Sequence, residues 1–305
     1  MTSVSNAFAF ERSRADITRV QAELVDLQRQ TASGFRAENL AGYGRQSGQL
    51  LSARSLISAS EARNDALRGL EPRLATQDLA FSQFDGAIGV LRAALENAIA
   101  LDSPADLPGA LDQAFADAVE ALNQNFGGSF LFGGERSDSR PVQVSTLAQL
   151  RALPDAGDAF ANGARPQTYE VGGGVTANLA PLASAIGEEF FEVVRSVAGF
   201  AEANPTGPLS ARNTDEVLGL LNRLEGARQN VLQAQVENGG LQNQVKQQRL
   251  TEESRLVVFK GALGEAADAD IAEVATRISQ LTAQFQATAQ VFVQVRDLSL
   301  LNFLR

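Results

Sequence analysis

The sequence predicts a mainly α protein: long N- and C-terminal helices form an antiparallel coiled coil, joined by hinges to a helical bundle that carries a small α+β insertion. Three observations predict it. Both ends repeat apolar residues at steps of three, four and seven on otherwise polar segments. Two interior stretches, one on each side of the middle, repeat the same rhythm. Between them, six of the nine prolines fall from Pro141 to Pro208, together with Gly172, Gly173 and Gly174. A narrow apolar stripe cannot be buried by its own helix, so each end needs another helix, and the other end is the nearest candidate.

At the front the stripe is Phe10, Ile17, Val20, Leu24 and Leu27. It predicts a helix from about Ser5, a cap, to Ser33, with Gly34 placed to stop it. Asn39 to Gly48 contains three glycines and reads as an irregular connector. Helix resumes at Leu50, and Leu67, Leu70, Leu74, Phe81, Phe84, Ile88, Leu91 and Leu95 keep heptad spacing. Pro72 lies inside that run, where a missing donor and a crowded preceding turn predict a kink or break. A turn follows from Leu101 to Pro108. Leu111, Phe115, Val119, Leu122 and Phe126 then mark a third helix, ended by Gly127 and Gly128.

Strands are expected at Val142–Val144 and Thr168–Val171, and a helix from Ala183 to Phe200 with Phe190, Val193, Val194 and Val197 on one side. From Asp215 to Phe259 a long helix carries Val217, Leu220, Leu224, Val231, Leu241 and Val245 at burial spacing. Gly239-Gly240 weakens it locally, and Gly261 and Gly264 are expected to form a second hinge. Asp268 or Asp270 caps the final helix, striped by Ile271, Val274, Ile278, Leu281, Phe285, Phe292 and Val295. The expected divisions are therefore a rod and connector at 1–48, bundle at 49–135, an inserted outer domain at 136–210, bundle at 211–262 and a second rod at 263–305.

Composition excludes several chemistries. The 305 residues contain no histidine, cysteine or tryptophan, and methionine only at Met1. Thiol chemistry, histidine proton shuttling and zinc sites are thereby disfavoured, and no catalytic, cofactor or metal residue is assigned. A formal charge of −10 argues against a nucleic-acid partner, since phosphate binders present a basic face. No run of eighteen apolar residues indicates a membrane partner, and the first residues lack the pattern of a cleaved secretory signal. Gly42-Tyr43-Gly44-Arg45-Gln46-Ser47-Gly48 resembles a phosphate loop only superficially, because no strand precedes it and its spacing is wrong. Glu188-Glu189 and Glu252-Glu253 are adjacent carboxylates that diverge on a helix, as solvated faces do. An enzyme is not expected.

The order rod, hinge, bundle, insertion, bundle, hinge, rod brings both rods to the same end of one body. Two helices bury little, and apolar surface left on them favours lateral assembly into a ring or tube. Thr31 and Thr288 occupy stripe positions and suit a shared, partly polar packing surface. In a solitary monomer the same narrow stripes would be marginal in water.

Three segments resemble the flagellin superfamily, and within it the hook-associated branch that joins hook to filament. One is Leu27-Gln28-Arg29-Gln30-Thr31-Ala32-Ser33-Gly34-Phe35-Arg36, similar to a first helix ending at Ser-Gly before a basic residue. Another is Phe130-Leu131-Phe132-Gly133-Gly134, and the third is the tail Leu298-Ser299-Leu300-Leu301-Asn302-Phe303-Leu304-Arg305. The family's Asn/Asp-rich stretch after the first rod is replaced by Glu38-Asn39-Leu40-Ala41-Gly42, so contacts of that connector are not carried over. The resemblance implies a secreted subunit of the bacterial flagellum, exported through the type III apparatus without a cleaved signal. A cytosolic chaperone on its C-terminal region, another hook-associated protein and flagellin are the implied partners. Leu298, Leu300, Leu301, Phe303 and Leu304 join the two stripes as the candidate interface. The alternatives are a minor flagellin that polymerises without stopping and, in a different class, an intracellular coiled-coil interaction protein.

Overall fold

Both terminal stretches form the helices that their stripes predict. A computed structural model describes residues 2–172 and 175–303, with side chains described for residues 8, 11–170 and 176–294. Helix α1 spans Thr2–Ser33, beginning before the expected Ser5, and Gly34 (φ +77°) stops it. A 3-10 turn at Leu40–Gln46 follows, capped by Asn39, whose side chain accepts the Gly42 N–H at 3.2 Å. Helix α2 (Ser47–Ala100) leads to α3 (Leu107–Leu122) and a two-residue hairpin, β1 (Asn125–Phe126) with β2 (Ser129–Phe130). After α4 (Leu147–Ala152) and a second antiparallel pair, β3 (Thr168–Gly172) with β4 (Val175–Asn178), come α5 (Ala183–Ala203), α6 (Ala211–Ala267) and α7 (Ile271–Phe303). The fold is mainly α, with two small antiparallel strand pairs among the described residues.

The chain divides into two compact units, Met1–Glu61 with Ser254–Arg305 and Ala62–Glu253. Helices α2 and α6 contribute residues to both.

In the second unit one apolar core collects Phe81, Phe84 and Leu91 of α2, Phe115 of α3, Phe190 and Val194 of α5, and Leu224 of α6. Its aromatic rings meet edge-on or tilted, as ring quadrupoles favour: Phe84 and Phe190 stand 5.2 Å apart at 78°, Phe81 and Phe132 5.3 Å apart. Val142, Leu150, Ala156 and Ala159 enter the same core, so stretch 136–210 packs on the residues that flank it. At the flank, Arg228 pairs with Asp85 at 2.7 Å and Arg249 with Glu71 at 2.9 Å. A smaller cluster joins Leu67, Leu70 and Leu74 to Leu179, Leu241 and Val245.

Four local expectations are corrected. Of the kink or break expected at Pro72, the break does not occur: helix α2 continues through the proline, and leucines on either side of it are anchored in that smaller cluster. Packing there outweighs the roughly 3 kcal/mol that an interior proline costs. The third helix ends at Leu122, and Phe126 belongs to the hairpin whose turn, Gly127-Gly128, has φ of +59° and +86°. Positive φ at both turn residues suits the strand twist, so these glycines make a turn rather than end a helix. Val142–Val144 forms a single bridge to Phe160 instead of a strand; Asn123 satisfies the backbone by accepting the Val142 N–H at 3.0 Å. Gly261 and Gly264 lie within α6, which continues to Ala267, and the break falls at Asp268–Asp270. Two glycines cost about 1 kcal/mol each in a helix interior, which a helix of 57 residues absorbs.

Polar groups interrupt the packing of α2 on α6. Asn238 and Gln242 both donate side-chain N–H to the Leu74 carbonyl at 3.1 Å. Gln77 is wholly buried, and neither its amide nitrogen nor its amide oxygen has a hydrogen-bond partner in the protein. It borders a cavity of about 260 Å³ with Leu179, Ala234, Asn238 and Leu241.

Candidate assembly interface

Helices α1 and α7, 32 and 33 residues long, each span about 48 Å at 1.5 Å per residue. They lie antiparallel. At the base, residues 34–36 and 267–269 form a short β-type clasp: the Arg36 N–H donates to the Ala267 carbonyl at 2.9 Å and the Ala269 N–H to the Gly34 carbonyl at 2.8 Å. Arg36 adds Nε to the Asp268 carbonyl at 2.8 Å, and the Tyr43 hydroxyl donates to the carbonyls of Ala37 and Ala267 at 3.0 and 3.3 Å. Asp270 then caps α7, its carboxylate accepting the N–H groups of Ala272 and Glu273 at 3.0 and 3.1 Å.

Above the clasp the two stripes meet. Val20, Leu27, Val274 and Leu281 are buried, with Leu24, Ile278 and Phe285 packed against them. Arg277 crosses to Glu23 at 3.1 Å and fixes the register from outside. Ile17 and Phe292 are half-buried, while Ile271, on the first turn of α7, is 47 % exposed and stands outside the seam. The hydroxyls of Thr31 and Thr288 turn back on their own helices, donating to the carbonyls of Leu27 and Gln284 at 2.9 Å. Phe10, Val295, Leu298, Leu300, Leu301 and Phe303 lie on these helices, but their side chains fall outside the described residues; Leu304 is outside altogether.

On the outer surface of the same unit Phe8 (76 %), Val25 (66 %), Val291 and Val293 stay exposed. Asp26 accepts from Arg29 at 2.7 Å and from Gln30 at 2.8 Å, and these bonds, Arg29's first, hold its carboxyl below the usual range. Arg36 and Tyr43 make clasp contacts that periodicity cannot find. Arg36 had one signal, the basic residue after Ser33-Gly34, and Tyr43 had none.

The second resembling segment also has a physical reason. Gly134 has φ +61°, and a Cβ there would stand 2.5 Å from the Arg165 carbonyl oxygen, so the end of Phe130–Gly134 admits no side chain. Among the described residues no group of three acidic, histidine or cysteine side chains is placed to hold a metal, and no helix is long and apolar enough to cross a membrane. Glu189 of the Glu188-Glu189 pair accepts from Asn230 at 2.8 Å, while Glu252 is buried and meets Arg63 at 3.4 Å.

The described chain ends thus form a long antiparallel helical pair, clasped at its base, in a mainly α protein. No family model and no curated protein matches the chain. Among solved structures it is similar to one described as a flagellar hook-associated protein from Vibrio parahaemolyticus, with 17 % identity and a TM-score of 0.56 over 73 % of this chain and 97 % of that one. FlgL from Bacillus cereus aligns at 13 % identity and a TM-score of 0.41, over 62 % and 97 % of the two chains. The likeness to the Vibrio parahaemolyticus structure shows a shared fold.

Proposed function

We propose that the chain is a structural subunit of the bacterial flagellum, a hook-filament junction adaptor that assembles through its terminal helices. One observation carries this reading: the two chain ends pair, yet the pair keeps large apolar side chains such as Phe8, Val25, Val291 and Val293 in water. Each square ångström of such surface covered by a neighbour contributes about 25 cal/mol, so lateral packing of copies is the favourable resting state. The shared fold and the junction-like tail from Leu298 to Arg305 support the particular assignment.

In this reading copies form a ring or tube layer, with another hook-associated protein and flagellin as axial neighbours and an export chaperone on the C-terminal region before secretion. The chain carries out no catalysis. Fractionation tests it: the chain should be recovered outside the cell in hook and basal-body preparations, and a chain confined to the cytosol overturns the reading. Deleting Leu298–Arg305 should leave a soluble protein that no longer assembles; normal assembly of the truncated chain would sink the role given to the tail.

A further inference from the structure

Two amides interrupt the apolar packing of α2 on α6. Gln77 of α2 is wholly buried, and neither its nitrogen Nε2 nor its oxygen Oε1 meets a partner in the protein. Asn238 of α6 is 5 % exposed; its nitrogen donates to the Leu74 carbonyl at 3.1 Å, and its oxygen Oδ1 has no partner. A carbonyl oxygen only accepts, so that bond fixes which way the Asn238 amide is turned. Leu74 and Gln77 are three residues apart on one helix face, which sets the two amides side by side. One donor group and two acceptors are thus left over. Each costs stability in the empty protein, and packing alone would favour apolar side chains at both positions.

Both residues border the cavity of about 260 Å³ within the Ala62–Glu253 unit. Its buried wall is otherwise apolar, with Leu179, Ala234 and Leu241, while Asn178 and Glu237 are exposed and mark the mouth. The space exceeds that of one water many times over, and every water held inside needs about two to four polar partners. An apolar wall supplies few. A ligand with one polar head and an aliphatic body fits such a cavity better than a cluster of waters.

The leftover atoms select the head. A carboxylate would set its oxygens against Oε1 and Oδ1, an ammonium would leave Nε2 unpaired, and a hydroxyl has one proton to give. A primary carboxamide answers all three atoms: its carbonyl accepts from Gln77 Nε2, and its two N–H groups donate to Gln77 Oε1 and Asn238 Oδ1. No basic residue lines the cavity. The Glu237 carboxylate at the mouth accepts from Gln233 at 3.1 Å, and its charge disfavours an anionic body and favours a neutral or cationic one.

We propose that this cavity is a binding site for a primary carboxamide carried on a short aliphatic, neutral or cationic body. The group belongs either to a free amide or to a glutamine side chain of a polypeptide. Stability given up by the empty protein is recovered when the site fills. The site needs no second copy of the chain, so its test is independent of assembly.

Titration calorimetry of the purified full-length chain tests it with aminovaleramide, using aminovalerate and pentylamine as probes of matching length without the amide. Aminovaleramide should bind at one site per chain, at least about tenfold more tightly than either control. Gln77→Met removes both unpaired atoms of that side chain and should bring the three probes within about threefold of one another, with no fall in Tm. Asn238→Ala keeps Gln77 and should cut the preference for the amide by about three- to tenfold; it decides the matter alone if Gln77→Met does not fold. A blocked dipeptide of glutamine and lysine that binds more tightly than aminovaleramide assigns the carboxamide to a polypeptide, and the reverse order assigns it to a free amide. Three outcomes overturn the proposal: no heat of binding from aminovaleramide or the dipeptide at millimolar concentration, equal binding of the three matched probes, or a folded variant that keeps the wild-type preference.

Discussion

Replacing Gln77 by methionine should stabilise the protein. Its amide is wholly buried between α2 and α6, and neither the nitrogen nor the oxygen has a protein partner. A buried group left unsatisfied costs about 1–3 kcal/mol, and removing it for an apolar side chain of similar length returns much of that cost. Two such atoms set an upper range of about 2–6 kcal/mol, and partial relief by a bridging water lowers the expected gain to about 2 kcal/mol. Methionine is a little larger than glutamine, and the cavity of about 260 Å³ alongside accepts the difference without strain. For a unit of this size 2 kcal/mol raises Tm by roughly 4–8 °C. Urea unfolding at constant m-value, checked by calorimetry, measures it. Gln77→Glu, which buries a charge at the same place, should lose several kcal/mol and serves as the opposite control. A Gln77→Met protein less stable than wild type by more than about 0.5 kcal/mol would show that the amide is well satisfied, and the reasoning would be refuted.

Pro72→Ala restores an N–H facing the Arg68 carbonyl in a continuous helix and should stabilise the protein by about 1–3 kcal/mol in the same urea assay. Leu27→Ala empties part of the terminal seam, costing about 2–4 kcal/mol there; amide exchange over residues 11–33 and 271–294 should accelerate while the Ala62–Glu253 unit keeps its protection. The depressed Asp26 carboxyl contributes stability that is present above its unfolded value of 3.8 and lost as pH falls through the lower folded value. Exchange in α1 should therefore rise below about pH 4 more steeply in wild type than in Asp26→Asn.

Much of this architecture was legible because its signals are periodic. The stripes of α1 and α7 name the seam residues directly, Val20, Leu24 and Leu27 against Val274, Ile278 and Leu281, since a 3.6-residue helix has few other ways to bury them. Helix α5 was legible for the same reason, with Phe190, Val193, Val194 and Val197 all buried. What failed was punctuation. Pro72, Gly261 and Gly264 are local breakers, yet each sits in a helix held by distant partners or by sheer length, and local propensity carries no record of those. Phe126 fits the spacing of α3 but pairs across the Gly127-Gly128 turn, a choice set by glycine φ rather than by the apolar pattern. The partnerless amide of Gln77 and the clasp made by Arg36 and Tyr43 had no periodic signature at all, because side-chain hydrogen bonds between segments more than 160 residues apart leave no spacing to count.

That clasp has a mechanical side. Between Gly34 and Arg36 on one strand and Ala267 and Ala269 on the other, two backbone hydrogen bonds lie across the chain direction, reinforced by the Arg36 guanidinium and the Tyr43 hydroxyl. Tension along α1 would reach these bonds together, in shear, instead of peeling them one at a time, and part of it would pass into α6 and α7. Two slender helices thereby bear load as one member, and twist applied to either is felt at the same crosspiece.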